Sequence, residues 1–469
     1  MRMKYVWGSS EKRGLRLWPV GTVLALAFAA ALTVVSAVFF TGWGLLDAQS
    51  LKPERQVTSK TLFELVKLSF GVVAGAGALV ALVVAYRRQR LDEDAALREA
   101  TRLHTERFST AVSQLGEGSP AIRLGGVHAL AGLADDAPTR DLRQTCIDVL
   151  CAYLRLPYTQ KEHLPQGDQA ARHNYVANRE VRHTVIRVIR DRLRLPQEHP
   201  HSWQGHDLDF TSVVFDGGDF SGAVFPQGRV SFDNAVFARG FVTFGGASFC
   251  GAIVSFDHTD FSDGLVTFDH ATFSGGRVSF NHGLFSGGTV DFVGATFSGS
   301  AIFFDRARFT SSKISFNRAR FTSGGLSFDS AELLGGAVRI NHAKLAGAEI
   351  SFADFLITGG RLVVLSSTLS AGRIDFSGAL IDGGRVTFTR SHLLGAEISF
   401  ENTDLSRGTV SFDRAELQSG KIGFDQAQFG GVRVTFKDTV FSGTHLSFSN
   451  EQPPPPGVCL PPTWQSPPQ

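Results

Sequence analysis

The fold is decided by a twelve-residue unit that repeats as RVSFDNAVFARG (229–240), FVTFGGASFCGA (241–252), IVSFDHTDFSDG (253–264) and LVTFDHATFSGG (265–276). Each copy carries Phe at its fourth position, an apolar residue two places earlier, and Ser or Thr between them. This alternation is typical of a short β-strand with one buried face.

Steps of twelve reach an apolar residue at every stop from Phe232 to Phe448, without an insertion. A second bulky ladder lies five residues later; it begins at Phe237 and changes to Leu or Ile between Leu333 and Leu417. A fixed period without drift indicates a solenoid. Because one unit buries too little apolar surface to fold alone, the units must stack on one another.

The segment before these units steps by five residues instead of twelve. Its copies are Leu208-Asp209-Phe210, Val213-Val214-Phe215, Gly218-Asp219-Phe220 and Ala223-Val224-Phe225. This stretch resembles the pentapeptide-repeat family, whose motif is a small residue, Asp or Asn, Leu or Phe, and two polar residues. The resemblance implies a right-handed quadrilateral β-helix with the large residue, and the small residue two before it, pointing inward. The twelve-residue units keep this small-x-large pattern and add two residues, so the resemblance covers about half of the chain.

The number of residues per coil follows from the width that the aromatic side chains need. A twelve-residue coil would be too thin for two aromatic ladders and a Val ladder, so we predict two units, 24 residues, per coil. Nine or ten coils at roughly 4.8 Å each would form a rod of about 45 Å. His258 and His282 would then lie one above the other, about 5 Å apart, with His270 on the opposite face. In the alternative twelve-residue coil all three would share one column.

The part of the chain before the repeats reads as a membrane hairpin followed by helices. Val20 to Thr41 and Leu68 to Tyr86 are free of charged residues, and Arg87, Arg88 and Arg90 follow the second run. The first run is long enough to span a bilayer; a cleaved signal peptide is the alternative for it. Both basic flanks, 2–16 and 87–90, are expected in the cytosol. The combination resembles bacterial membrane-anchored pentapeptide-repeat-containing proteins, in which a helical pair of HEAT or armadillo kind lies between hairpin and repeats.

The helical region carries its own signals. Ser119-Pro120 is typical of a helix N-terminus, Pro157 ends a second helix, and a third carries apolar residues from Val181 to Leu193. Arginines around this third helix suggest either a solvated face or contact with anionic lipid headgroups. The predicted organisation is a basic cytosolic tail (1–17), transmembrane helices (18–42 and 67–86) around a short extracytoplasmic loop (43–66), an α-helical capping domain (87–205), the mainly β, parallel β-helix (206–450) and a Pro-rich disordered tail (451–469).

Composition and motifs argue against chemistry at this fold. The 469 residues have a net charge of +2, which recruits neither nucleic acid nor an anionic surface globally. The four cysteines form no C-x-x-C pair, and no P-loop, G-x-S-x-G or H-E-x-x-H motif occurs. The three histidines of the ladder suggest a metal site, but the same position holds Asn or Arg in other copies, which favours a turn instead. We therefore expect no catalytic, cofactor or metal residues.

Two functional hypotheses remain, with an enzyme a distant third. The first is a scaffold, tethered to the cell (inner) membrane by two transmembrane helices, whose cytosolic β-helix binds a protein partner of unknown identity. The second comes from the resemblance, since some pentapeptide-repeat proteins look like duplex DNA and bind type II topoisomerases. Acids outnumber bases between Leu208 and Phe304, but Arg306 and Arg308 begin a reversal of sign. DNA mimicry is therefore the alternative, nucleic-acid binding is not expected, and homo-oligomerisation stays open.

Overall fold

The computed structural model describes residues 58–448 and 455–460, together with twelve helical positions between residues 22 and 43. The chain divides into two compact units, Met1–Leu103 and His104–Gln469. The predicted basic tail (1–17) and most of the first predicted span (18–42) and of the loop (43–66) lie outside the described residues. The two-helix hairpin therefore stays a prediction.

The first fully described element is the helix α1 (Ser59–Leu115). Among the described residues it is the helix long and apolar enough to cross a membrane: an 18-residue window has a mean hydropathy of 2.3 and is not buried. The helix extends beyond the predicted span 67–86 at both ends. On the C-terminal side this is because residues 91–103 contain strong helix formers and neither Gly nor Pro.

The second unit begins with the end of α1 and three further helices, α2 (Pro120–Asp135), α3 (Arg140–Arg155) and α4 (Gln169–Leu193), with a 3-10 turn at Lys161–His163. Its first residue is His104 and not, as predicted, residue 87, because His104 is buried and its Nε2 lies 3.1 Å from the carbonyl of Leu133. Helix α2 packs on both α3 and α4. Ser119 and Pro120 begin α2 as predicted. Helix α4 begins well before Val181 because Asp168 caps it, accepting from the Ala171 N–H at 2.9 Å.

A parallel β-solenoid follows, built from short strands. In chain order they are β1 (Leu208–Asp209), β2 (Val214–Phe215), β3 (Gly218–Asp219), β4 (Val224–Phe225), β5 (Arg229–Ser231), β6 (Val236–Phe237), β7 (Phe241–Thr243), β8 (Ser248–Ser255), β9 (Asp260–Phe261), β10 (Leu265–Thr267), β11 (Thr272–Ser279), β12 (Leu284–Phe285), β13 (Thr289–Asp291), β14 (Thr296–Phe303), β15 (Arg308–Phe309), β16 (Lys313–Ser315), β17 (Arg320–Ser327), β18 (Glu332–Leu333), β19 (Ala337–Arg339), β20 (Lys344–Ser351), β21 (Leu356–Ile357), β22 (Arg361–Val363), β23 (Thr368–Asp375), β24 (Leu380–Thr387), β25 (His392–Ser399), β26 (Asp404–Ser411), β27 (Glu416–Phe424), β28 (Gln428–Phe429), β29 (Arg433–Thr435), β30 (Val440–Phe441), β31 (His445–Phe448) and β32 (Val458–Cys459).

The register of these strands confirms the predicted coil of 24 residues. In the first sheet Thr272 pairs with Thr296, and in the second Val290 pairs with Ile314. The solenoid has about ten turns of this length, and its Phe-rich interior is consistent with a pentapeptide-repeat-like fold. Each coil alternates between the two sheets through two turns. Turn 1 follows the first sheet, as at 280–283, and turn 2 follows the second, as at 292–295.

The two sequence ladders become four interior columns, because each coil contains two units. Along a column the rings lie nearly parallel, as for Phe232 and Phe256, whose centroids are 4.5 Å apart at 3°. The columns at the two turns meet edge to face, with Phe256 and Phe268 at 6.0 Å and 85°. Offset stacking and edge-to-face packing are the favoured geometries for aromatic pairs, so the core gains more than buried area alone.

The five-residue steps at the start form a shorter first coil. Leu208 pairs with Val230 and Val214 with Val236, which is an offset of 22 residues, before Gly218 pairs with Val242 at the regular offset. The units of five and of twelve residues therefore supply the same four interior columns, and the two extra residues lengthen a corner.

Both ends of the solenoid are partly covered. Helices α3 and α4 contact the first coil, and Gly218 leaves room for Ile186, since a Cβ there would lie 3.2 Å from the Ile186 Cδ1. At the other end the Pro-rich tail is not wholly extended, as had been predicted: Val458 and Cys459 pair with β29. The tail returns because it gives the last strand of the second sheet a hydrogen-bonding partner.

Candidate functional site

The three histidines suggested by the sequence lie in turns. His258 and His282 stack in turn 1 with centroids 4.8 Å apart and rings 4° from parallel, as the 24-residue coil predicts. His270 lies in turn 2, where its ring covers Gly294. All three have a positive φ, which marks a turn position. Within the part of the chain that the structure describes, no group of three or more His, Cys, Asp or Glu side chains is arranged to hold a metal ion.

The acids beside turn 1 are used inside the solenoid. The Asp233 carboxylate accepts the backbone N–H of Asp257 at 3.1 Å, and the Asp257 carboxylate accepts that of Asn281 at 2.9 Å. The same bond recurs from Asp329 to Asp305 at 3.3 Å and from Ala353 to Asp329 at 3.2 Å. These carboxylates bridge successive coils, so they are structural groups rather than an exposed acidic surface.

A second group of acids holds the helices on the first coil. Asp209 pairs with Arg155 and Asp219 with Arg190. Further along, burial raises the pKa of the Asp260 and Asp291 carboxyls. The excess of acids over bases between residues 208 and 304 therefore overstates the negative charge that the solenoid presents to solvent.

The densest of these contacts surrounds Asp216, whose side chain is only 10% exposed. The Tyr158 and Tyr175 hydroxyls donate to Oδ2 at 2.6 and 2.8 Å, and the His183 Nε2 lies 3.2 Å from Oδ1. Burial alone would raise the pKa of Asp216, but the hydrogen bonds from His183, Tyr158 and Tyr175 outweigh burial and lower the pKa to about 2. Asp216 is thus an ionised anchor for the helical domain.

A cleft of about 620 Å³ opens beside this anchor between the loop before α4 and the first coils. Its lining includes Lys161, Arg172, Arg179 and Arg239. The charges are partly balanced, because Arg179 lies 3.5 Å from Asp216 and Arg239 lies 2.6 Å from Asp263.

The most unbalanced surface of the described solenoid lies around turn 2 of four successive coils. It consists of residues 313–320, 337–344, 361–368 and 385–392, which we call the cationic face. These segments carry eight Lys and Arg residues and no Asp or Glu. All eight are exposed. They are Lys313, Arg318, Arg320, Arg339, Lys344, Arg361, Arg385 and Arg390.

The register sets like charges beside one another on this face. Arg320 pairs directly with Lys344, and Arg361 with Arg385. Like charges directly opposite in a sheet are destabilising. Among the described residues, none of the eight side chains forms an ion pair or a hydrogen bond. Other exposed arginines of the solenoid do, such as Arg308 with Glu332 and Arg407 with Asp382.

The chemistry of the cationic face is recognition of anions. Six of its eight cations are arginines, whose planar guanidinium groups bind carboxylate or phosphate in a bidentate manner. No large apolar side chain of these four segments is exposed. The sequence gave only part of the signal, the reversal of sign from Arg306 onward, because the eight cations converge only once the register is known.

The arginines of α4 have a different role from the two alternatives suggested by the sequence. Arg182 is buried and donates to the carbonyls of Leu154 at 2.6 Å and Val214 at 2.8 Å. Arg194 donates to the carbonyl of Ser221 at 2.6 Å. These side chains attach the helix to the first coil, so the interpretations of a fully solvated or a lipid-facing helix are wrong for them.

Comparison of the chain with protein-family models, with curated proteins and with solved structures finds no match in any of the three. The functional argument therefore depends on the geometry of the cationic face.

Proposed function

We propose that the chain is a membrane-tethered scaffold without catalytic chemistry of its own, whose cytosolic solenoid binds a protein partner. The observation that carries the proposal is the cationic face, where eight exposed cations have no partner among the described residues. A surface of this kind lowers its own electrostatic repulsion when a partner of opposite charge binds, and it steers the encounter with that partner.

The solenoid suits a scaffold because its geometry is fixed over many coils. Each outward position repeats in register with its neighbours, so a row of side chains has one spacing along the whole rod. Such solenoids offer extended binding surfaces. The contacts of the cap and the inter-coil hydrogen bonds add to this order without using the eight cations.

The membrane tether in this proposal comes from α1. Leu68 to Tyr86 contains no charged residue and is followed by Arg87, Arg88 and Arg90. An apolar run of this length with a basic flank fits a spanning helix whose flank stays in the cytosol. Together with the first apolar run it would give a multi-pass protein of the inner membrane.

DNA mimicry is less well supported as a function. A mimic needs regularly spaced, exposed negative charge, because DNA is uniformly negative. Here Asp233 and Asp257 bridge coils and Asp216 is buried under the helices. The exposed face with unbalanced charge is positive.

The orientation of the tether gives a direct test. A fluorescent protein fused after Gln469 is expected to fold and fluoresce, because the proposal places the solenoid in the cytosol. Alkaline phosphatase at the same position should be inactive, since it needs the oxidising side of the membrane. Active phosphatase would contradict the cytosolic orientation.

Partner binding is tested by photocrosslinking of the full chain in its native cells. Ser366 on the cationic face and Ser330 in turn 1 are matched sites, since both are serines in a turn with a positive φ, of 51° and 57°. With p-benzoylphenylalanine at each site, we expect a discrete protein adduct from Ser366 and none from Ser330. Adducts from neither site, nor from scanned positions on the other faces, would overturn the scaffold.

A further inference from the structure

We infer that the partner docks on the cationic face through a short, carboxylate-rich segment of its chain. This inference depends on the proposed scaffold function and adds the chemistry of what is bound. The evidence is the distribution of charge over the face, its length along the solenoid axis, and the side chains that are missing from it.

The distribution of charge shows that the face is incomplete by itself. Arg320 with Lys344 and Arg361 with Arg385 are direct neighbours in register. Neighbouring strands lie about 4.8 Å apart, which is well inside the screening length of about 8 Å at physiological salt. The eight cations therefore repel one another, and a bound anion removes this repulsion.

The length of the face limits the size of the anion. Acids return in the corresponding segments of the adjacent coils, as Asp291 on one side and Asp413 and Glu416 on the other. The four coils between them span three inter-strand steps, or about 14 Å. An extended segment of about four to six residues covers that length at roughly 3.3 Å per residue. A long polyanion or a bilayer would gain from cations along the whole rod, which the sequence does not provide.

The composition of the face also favours carboxylates on a polypeptide. Single-stranded nucleic acid is bound by stacking of bases on exposed aromatic side chains, and no large apolar or aromatic side chain of the face is exposed. The same absence removes the apolar anchors of a membrane-inserting surface. Arginine guanidinium groups and backbone-spaced carboxylates match in geometry and charge.

The test uses the full chain in an uncharged detergent and fluorescein-labelled hexaglutamate as the probe. The test variant is Arg320→Gln/Lys344→Gln/Arg361→Gln. The matched control is Arg239→Gln/Arg308→Gln/Arg407→Gln, which removes the same charge from arginines that are ion-paired elsewhere on the solenoid. We expect the test variant to bind about 10- to 100-fold more weakly than the wild type, and the control to bind within about threefold.

Three results would overturn the inference. Equal weakening by the two variants would show that only net charge matters. Tighter binding of a 20-base-pair duplex, or of vesicles containing phosphatidylserine, than of hexaglutamate would assign the face to phosphate groups. Lack of hexaglutamate binding together with an adduct at Ser366 would reject the acidic segment while leaving the scaffold intact, whereas loss of the adducts on every face rejects the scaffold itself.

Discussion

Replacement of Phe355 by Ala is expected to destabilise the solenoid by about 3–5 kcal/mol, the usual cost of emptying an aromatic site in a core. Phe355 is fully buried and its ring lies 5.2 Å from that of Phe352 and 6.3 Å from that of Phe328. The equivalent positions one coil away on either side hold Ala331 and Ala379. Phe355 therefore fills space that the neighbouring coils leave to other side chains.

The compensating change lies in the turn-2 column. That column contains Phe at every level from Phe244 to Phe436 except at Ile340 and Val364, the two levels next to Phe355. The smaller side chains balance the volume that Phe355 adds. Val364→Phe alone is expected to overpack this region and cost about 1–3 kcal/mol, whereas Val364→Phe in the Phe355→Ala background should recover part of the lost stability.

Hydrogen exchange of peptides covering residues 337–376 and the midpoint of urea unfolding measure these effects. Phe441→Ala is the matched control, because Phe441 lies in the last coil and is only partly buried, so its truncation should cost less. Additive effects of Phe355→Ala and Val364→Phe would contradict the volume exchange, since neighbours that share one space are expected to couple by about 0.5–3 kcal/mol.

The interior was largely predictable from the sequence because a period without drift fixes every contact along the axis. Once the coil is set at 24 residues, the stacking of His258 on His282 and the burial of both ladders follow by counting. The bend from the five-residue to the twelve-residue step changed only the first offset, since Phe210 and Phe232 still stack with centroids 4.9 Å apart.

The surface was less predictable because neighbouring charges in sequence diverge in space. Arg308, Lys313, Arg318 and Arg320 read as one basic cluster. The structure places Arg308 in another strand, paired with Glu332, while the other three join cations from three later coils. Equally, the pairing of the tail with β29 depends on where the solenoid ends, which a local pattern does not encode.

The helical cap shows the same limit in another form. Arginines spaced around α4 suggested solvent or lipid, and only the docked structure shows Arg182 donating to the carbonyl of Val214. Asp216 lies in a stretch that reads as part of the first coil, yet its partners Tyr158, Tyr175 and His183 come from the helical region. Contacts between segments of different period depend on docking, so neither period predicts them.

Substitution of Asp216 by Asn is expected to loosen the helical domain from the first coil and to cost about 2–3 kcal/mol at neutral pH. The carboxylate accepts from the Tyr158 and Tyr175 hydroxyls, and an amide in its place directs N–H groups toward at least one of these donors or toward His183. Hydrogen exchange of peptides from α4 and from β1 to β4 should increase together. Asp263→Asn, which removes an exposed partner of Arg239, is the control and should change stability by less than about 1 kcal/mol.

The pH dependence separates the charge of Asp216 from its shape. In the folded protein the pKa is lowered from 3.8 to about 2. A lowered folded-state pKa adds stability above the unfolded pKa, and this stability is lost as the pH falls through the folded value. A shift of this size corresponds to about 2 kcal/mol. Wild type and Asp216→Asn should therefore differ most above about pH 5 and converge between about pH 4 and pH 2, measured as the difference in their urea midpoints at each pH. A difference that stays constant over this range would mean that Asp216 holds the cap through shape and neutral hydrogen bonds, without its charge.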